Sequence, residues 1–408
     1  MSGPTIALEG IAGVYNYGCE AIVRGTAAIL RRQWPDCRIL YASPRPREDG
    51  SVLADLDVER VGARWHVPFL QRAGNKLFRA AGLRYRLKVK RYFDWLDEVD
   101  CVLAIGGDIF TMWPGDETAG NFPRAEHARF IMDSGRPLVL WGASVGPFDA
   151  NPKAVRAYAD ILGRMRLITV RERLTRDYLT TLGVAESVRL VADPAFLMTP
   201  DVSRVVEDLG FPPDRPVVGV NFSPCAARFA EHEEGMGGFP DRQAAFLSRL
   251  LETHDVDVVL IPHVICPWQS GDDDYGYLTD LRTRLEKRLH PRVRLLAPDL
   301  GARRTKGVIS RCRALVAARM HAAIAGISTA VPTLLVSYSR KALGMSDYVY
   351  GGQEWVLPVS SGSEELLDVV GRLLGRAEEL HRHLEGRRET FHEDAMKAGR
   401  FLKEVCLD

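Results

Sequence analysis

Cysteine pairs at the spacing of a metal or redox motif are missing from this sequence. Its 408 residues include seven cysteines at scattered positions, and no two of them form a CxxC pair. An odd, scattered set of this kind argues against a disulfide framework and against a structural zinc site. Cys101 and Cys312 lie in apolar runs, which predicts that they are buried core thiols. We therefore expect no metal site.

Long hydrophobic runs and net charge are also missing. No run reaches the length of about 18 apolar residues that a membrane-spanning helix needs. The first ten residues, MSGPTIALEG, lack the basic and apolar regions of a signal peptide. The formal net charge is +1, so no overall field recruits nucleic acid. We expect a cytoplasmic protein without a nucleic-acid partner.

What the chain does contain is typical of a globular protein with more than one domain. It is 46% hydrophobic and 26% charged, and its length favours two or three domains. Four prolines between residues 199 and 216 indicate a linker. We predict an N-terminal α/β domain over 1–200, a C-terminal α/β domain over 217–385, and a final helix over 386–408 that packs back across the domain joint.

Short apolar runs alternate with helical stretches in the N-terminal half. Residues 101–107, 137–143, 167–170 and 188–191 predict buried strands of a parallel sheet with both faces covered. Polar or small residues stand at the ends of these strands, namely Gly106, Gly107, Asp108, Ser144, Arg171 and Asp193. Ligands of such sheets bind at the carboxyl ends of the strands. We predict that Gly106, Gly107, Asp108 and Ser144 contact substrate.

A glycine-containing loop joins the first predicted strand, 5–8, to a helix from about residue 19 to residue 32. The loop has neither the G-x-G-x-x-G pattern nor a P-loop lysine, so it is a weak nucleotide signature. Two interpretations stay open. Asn16, Gly18 and Glu20 contact a polar substrate, or the loop is a tight turn with a helix cap.

The segment 72–93 carries eight basic residues and no acidic one, with apolar residues between them. This composition suits contact with an anionic membrane surface or a lipid-phosphate acceptor. The alternative is an ordinary solvated helix face.

The stretch 312–341 holds the best functional clue. An apolar run over 313–318 predicts a strand, and Arg319, Met320 and His321 follow it at the start of a predicted helix. A second apolar run over 332–337 ends in Ser337 and leads to Lys341. A cation and an imidazole beside a helix N-terminus suit an anionic ligand that also needs a proton. The alternative, a solvent-exposed arginine beside a structural histidine, is weakened by this second polar set on a neighbouring strand end.

Two further features of the C-terminal half are candidates for substrate contacts. His263 ends a predicted strand over 256–262 and is a predicted substrate-binding residue. Three consecutive acids at 272–274 could bind a metal or sugar hydroxyls. The alternative is a solvated loop or the start of a helix.

Seven short segments, in a fixed order, are similar to those of a known family. They are 16–22 (NYGCEAI), 106–107 (GG), 144–148 (SVGPF), 171–172 (RE), 193–196 (DPAF), 319–321 (RMH) and 338–341 (YSRK). Through them the chain from Asn16 to about Lys341 resembles the polysaccharide pyruvyl transferase family. The family pattern usually has Asp where Cys19 stands and a third glycine where Asp108 stands.

The resemblance implies two Rossmann-like domains with parallel sheets, arranged as in the GT-B glycosyltransferases with a cleft between the domains. It also implies phosphoenolpyruvate as a co-substrate, no other cofactor, and a sugar diol as acceptor, free or lipid-linked. The products would be a pyruvate ketal and phosphate. Arg171 and the segment 319–321 would form the donor site.

The residues suit this chemistry on their own terms. Arginine forks bind carboxylate and phosphate bidentately, and phosphoenolpyruvate carries both groups. His321 is the candidate general acid for the vinyl carbon, and Asp193 or an acid of 272–274 is the candidate base. Two other functions stay open. One is a nucleotide-sugar glycosyltransferase with Arg319 and Lys341 on the diphosphate, and the other is a non-catalytic protein that binds sugar or lipid phosphate.

Overall fold

The structure is a computed structural model that describes residues 3–63, 93–112, 116–212, 214–234, 238–338 and 341–407. The basic segment 72–93, apart from Phe93, lies outside the described residues. Its predicted membrane contact therefore stays a prediction.

The first half of the chain forms a seven-stranded parallel sheet in the order β3-β2-β1-β4-β5-β6-β7. Its strands are β1 Thr5–Glu9, β2 Arg38–Ser43, β3 Glu59–Gly62, β4 Cys101–Ile105, β5 Leu138–Ala143, β6 Ile168–Val170 and β7 Val188–Leu190. Ile6 of β1 pairs with Ile39 of β2 and with Cys101 of β4. Every residue of β4 and β5 is buried, as expected for parallel strands covered by helices on both faces.

The second half forms a six-stranded parallel sheet in the order β10-β9-β8-β11-β12-β13. Its strands are β8 Val217–Asn221, β9 Asp257–Leu260, β10 Val293–Leu295, β11 Ala314–Ala317, β12 Thr333–Ser337 and β13 Val356–Pro358. In both sheets the first strand lies at the centre and the order reverses beside it, which is the Rossmann arrangement. The prediction of two Rossmann-like parallel sheets is confirmed.

Helices cover the faces of both sheets. In the first half they are α1 Tyr17–Gln33, α2 Pro46–Val52, α3 Pro123–Asp133, α4 Pro152–Gly163, α5 Arg173–Thr181 and α6 Val205–Leu209, with 3-10 turns at Leu96–Glu98, Asp116–Thr118 and Pro194–Leu197. In the second half they are α7 Pro224–Glu234, α8 Phe239–Thr253, α9 Asp274–Thr283, α10 Gly301–Ile309, α11 Met320–Ile327, α12 Lys341–Tyr350, α13 Ser363–Gly375 and α14 Ala377–Cys406, with a 3-10 turn at Lys287–Arg292. Within the described ranges, no helix is both long enough and apolar enough to cross a membrane.

The structure differs from the sequence-based expectation at the sheet edges and at the C-terminus. Strands β3, β10 and β13 were not predicted, because each is only three or four residues long and lacks a sustained apolar run. The final helix was expected over 386–408, whereas α14 spans Ala377–Cys406. Gly386 lies inside α14, where a single glycine costs only about 1 kcal/mol and does not end a helix.

The two domains are joined by packing and by backbone hydrogen bonds. Helix α14 of the second half lies on α1 of the first, where Gly399 leaves room for Ile29. Tyr17 N donates to His263 O at 2.9 Å, and Asn16 forms an antiparallel bridge with Val264. This junction brings the carboxyl ends of the two sheets together.

Candidate active site

His321 lies at the domain junction. It is in the first turn of α11, whose N-cap residue is Arg319. The backbone N–H of Arg319 donates to Asn221 Oδ1 at 2.9 Å, which fixes the start of the helix. The imidazole packs directly on Gly18 of α1, and any side chain at position 18 would overlap the ring. The His321 side chain is 16% exposed. The absence of a side chain at Gly18 therefore allows the imidazole to reach the first domain.

Asp193 joins His321 to Arg171. Its Oδ2 lies 2.7 Å from Arg171 Nη1 and 3.4 Å from His321 Nε2, and its Oδ1 accepts from Ala195 N at 2.8 Å. Burial would raise the pKa of Asp193, but the charges of His321 and Arg171 and the Ala195 hydrogen bond lower it well below its ordinary value. One ionised carboxylate thus serves an imidazole from one domain and a guanidinium from the other.

Arg171 is held by polar groups along its whole guanidinium. Besides its bond to Asp193, its Nε donates to Ser144 Oγ at 2.9 Å and its Nη2 donates to Gly107 O at 3.2 Å. Only 1% of its side chain is exposed. A Cβ on Gly107 would lie 2.7 Å from Nη1, so this glycine makes room for the arginine itself. Burial lowers the pKa of Arg171, but Asp193 and the neighbouring acids raise it overall.

Asp108 links Arg171 to the second domain. Its Oδ1 accepts from Lys341 Nζ at 2.7 Å and from Arg171 Nη2 at 3.2 Å. Burial would raise the pKa of Asp108, but Lys341 and Arg171 lower it. The predicted site residues Arg171, Asp108 and Lys341 are therefore brought together, although the first two follow β6 and β4 and the third begins α12.

Glu172 was not predicted as a site residue. Its Oε2 accepts from Ser144 Oγ at 2.9 Å, and Thr175 donates to its other oxygen. Burial raises the pKa of Glu172, partly opposed by Arg171. The available signal was its position directly after a strand-end arginine, ahead of a helix. It completes a set of three carboxylates around Arg171.

A cavity of about 500 Å³ opens beside this network, between the two domains. Its polar end is formed by Asp108, Glu172 and Lys341, whereas Arg171 and His321 do not line it. Its walls are largely apolar, with the rings of Phe229 and Tyr338 stacked 4.8 Å apart. A cavity of this size and lining can hold a small organic ligand with one polar end.

Arg319 is engaged within its own domain. Its Nη2 donates to Asp274 Oδ1 and to Asp272 O, both at 2.8 Å. Asp273 caps α9 by accepting from Gly276 N at 2.9 Å, and Asp274 Oδ2 accepts from His263 N at 3.0 Å. The acidic segment 272–274 thus forms the start of α9, and two of its acids also hold Arg319.

Three other predicted contacts lie along the junction. Asn16 caps α1, with Oδ1 accepting from Gly18 N at 2.9 Å. Glu20 pairs with Arg24 within α1 at 2.7 Å, and its other oxygen accepts from Ala302 N at 2.9 Å and so joins α1 to α10. Burial lowers the pKa of His263 to about 3, aided by the charges of His321 and Arg319.

The remaining predicted residues have no ligand-directed geometry of their own. Met320 is half-buried against a hydrophobic core to which both domains contribute, and Ser337 is half-buried at the end of β12. Gly106 has a φ of 130°, and a Cβ there would meet Ile109. Substrate contact by Met320, Ser337 and Gly106 stays a prediction.

Comparison with known sequences identifies one family. A model of the polysaccharide pyruvyl transferase family matches residues 16–340, most of the chain. No curated protein sequence matches the chain.

Comparison with solved structures shows the fold. The UDP-GlcNAc 2-epimerase from Neisseria meningitidis bound to UDP-GlcNAc aligns with a TM-score of 0.60 and 11% identity over 100% of both chains. Anabaena Alr3699/HepE in complex with UDP and glucose aligns at 0.58 and 13% identity, covering 98% of each chain. Sucrose-phosphate synthase from Thermosynechococcus elongatus aligns at 0.58 and 13% identity, covering 98% of this chain and 99% of that one. The two-domain arrangement is that of the GT-B glycosyltransferases and epimerases.

Proposed function

Because the chain belongs to the polysaccharide pyruvyl transferase family, we propose that it transfers pyruvate from phosphoenolpyruvate to two hydroxyls of a sugar. The products are a cyclic pyruvate ketal and inorganic phosphate. One observation carries the proposal. His321 and Lys341 of the second domain meet Arg171 of the first through the shared carboxylates Asp193 and Asp108.

Donor binding follows from the charges at the polar end of the cavity. Phosphoenolpyruvate carries a carboxylate and a phosphate, and both need cationic partners that are not fully hydrated. Lys341 lines the cavity as a mobile point charge, and the Arg171 guanidinium lies directly behind Asp108. A low-dielectric apolar wall beside these cations strengthens their attraction for an anion. We assign Lys341 and Arg171 to the donor.

His321 is the group that we assign to proton transfer. The vinyl carbon of the donor takes a proton from the imidazolium, and the adjacent carbon becomes an oxocarbenium-like centre. Asp193 remains ionised because its pKa is lowered, and its Oδ2 lies 3.4 Å from His321 Nε2, where it orients the ring. A positioned acid of this kind contributes about 10²- to 10⁴-fold to the rate.

The acceptor then completes the ketal. One sugar hydroxyl adds to the activated carbon, the bond from that carbon to the phosphate oxygen breaks, and the second hydroxyl closes the ring. Of the two hydroxyl protons, one replaces the proton that His321 gave to the new methyl group. The other leaves on phosphate, so the acid is regenerated.

Product analysis tests the function. The purified protein is incubated with phosphoenolpyruvate and a panel of sugar and lipid-linked sugar acceptors, and separately with UDP-sugars and the same acceptors. We expect acceptor-dependent phosphate release and an acceptor mass gain from phosphoenolpyruvate only. Release of nucleoside diphosphate would instead assign a glycosyltransferase. Ligand-induced stabilisation without turnover of any acceptor would assign a binding protein.

A further inference from the structure

Asp108 is paired with one cation from each domain. Its Oδ1 is shared by Lys341 Nζ at 2.7 Å and Arg171 Nη2 at 3.2 Å, cations from two different domains. Its side chain is 36% exposed and lines the cavity next to Lys341, whereas Arg171 does not line it, so the carboxylate lies between Arg171 and the space open to a ligand.

Among the described residues, the cations around Arg171 are already paired with carboxylates. Within the described part of the chain, three carboxylates lie within 3.6 Å of its guanidinium, those of Asp108, Glu172 and Asp193. Lys341, a second permanent cation, pairs with Asp108 and so belongs to the same cluster of charges. An anion entering the cavity meets carboxylates that already neutralise the two cations. It gains a full ion pair only when one carboxylate moves away.

Asp108 is the least restrained of the three carboxylates. Asp193 is fully buried and also accepts from Ala195 N, and Glu172 is buried and accepts from the hydroxyls of Ser144 and Thr175. In the part of the chain that the structure describes, the hydrogen bonds that Asp108 accepts come from Arg171 and Lys341. It also follows the two glycines at the end of β4, where the chain is least restricted by side chains.

We propose that Asp108 is an internal counter-ion that occupies the anion position between Arg171 and Lys341 and is displaced by the anionic group of the donor. The inference rests on the proposed function for the identity of that donor. Asp108 therefore sets the affinity for the donor rather than reacting with it. It keeps the two cations ion-paired and positioned, at the expense of weaker anion binding.

Titration with inorganic phosphate tests this without requiring turnover. Calorimetry at one fixed ionic strength compares the wild-type protein with Asp108→Asn, Asp108→Ala and Asp177→Asn. Asp177 lines the same cavity but is 61% exposed and pairs with Arg176, so its substitution makes the same change in charge without freeing the two cations. We expect phosphate to bind the two Asp108 variants roughly tenfold more tightly, the order expected from removing one competing charge of a partly buried pair. We expect less than a twofold change in Asp177→Asn.

The opposite interpretation, that Asp108 only braces the domains, predicts weaker phosphate binding when it is removed. Unchanged, weaker or undetectable binding in folded Asp108→Asn and Asp108→Ala would overturn the counter-ion role, as would an equal gain in Asp177→Asn. The outcome is independent of the donor assignment. If phosphate binding tightens but phosphoenolpyruvate is never turned over, the counter-ion stands and the proposed reaction falls.

Discussion

Arg171 and Arg319 each lie just after a buried strand of their own domain, and each is held by carboxylates. The difference is in the partners of those carboxylates. Asp272 and Asp274 bind Arg319 and other groups of the same domain. Asp193 and Asp108 bind Arg171 and also reach His321 and Lys341 of the opposite domain.

The comparison shows that a buried strand-end arginine is not by itself evidence of a site. The arginine at 319 fixes the acidic segment and the start of α11, which positions His321. The arginine at 171 belongs to a network that crosses the cleft and borders a cavity. We therefore expect catalysis to depend on the network around Arg171 that crosses between the domains. Stability should depend on this network and on the contacts of Arg319.

The largest expected effect is at His321. We predict that His321→Ala lowers kcat by at least about 10²-fold, because the general acid is lost. Donor affinity should change by less than about threefold, since the binding cations remain. Phosphate release and calorimetric titration with phosphoenolpyruvate measure the two quantities. Wild-type turnover by the variant would remove the acid role.

The two arginines should respond unequally to replacement by lysine. The sequence alone predicts weaker donor binding in both Arg171→Lys and Arg319→Lys, since a point charge does not copy the fork. The structure predicts a loss of about tenfold or more for Arg171→Lys and a smaller loss for Arg319→Lys, whose guanidinium is closed on its own domain. Donor dissociation constants of both variants, measured side by side, decide this. Equal losses would contradict the comparison.

Asp193 gives a prediction for pH. Its pKa in the folded protein lies below the ordinary value of 3.8, so it stabilises the fold above that pH and the contribution is lost as pH falls. Wild type should therefore be more stable than Asp193→Asn near pH 6, and the difference should shrink below about pH 4. Urea unfolding at several pH values measures it. A difference independent of pH would refute the ionised pairing with Arg171 and His321.

The smallest expected effect is at the junction loop. We predict that Asn16→Ala lowers the free energy of unfolding by about 1 kcal/mol, because the cap of α1 is lost. Urea unfolding measures the stability, and Ser203→Ala, on an exposed surface, is a control. Donor and acceptor affinities of the same variant test the predicted substrate contact of Asn16. A loss of unfolding free energy well under about 1 kcal/mol would argue against the capping role.

The sequence was sufficient for the inner strands of both sheets and for most of the residues at their ends, but not for the short edge strands β3, β10 and β13. Buried parallel strands are continuous apolar runs, so the residues that follow them, such as Arg171 and His321, can be named in advance. The pairing across domains could not be predicted. Asp108 and Lys341 are 233 residues apart, and no local pattern indicates that they share a contact. The bond between Glu20 and Ala302 N could not be predicted either, because these two residues are 282 positions apart.

A structure with phosphoenolpyruvate bound tests the central claim most directly. We predict that an anionic group of the donor lies on Lys341 and that its vinyl carbon lies about 3–3.5 Å from His321, the distance of a reactive geometry. Asp108 should have moved away from both cations. Donor bound only around Arg319, or bound outside the cleft and out of reach of His321, would contradict the account.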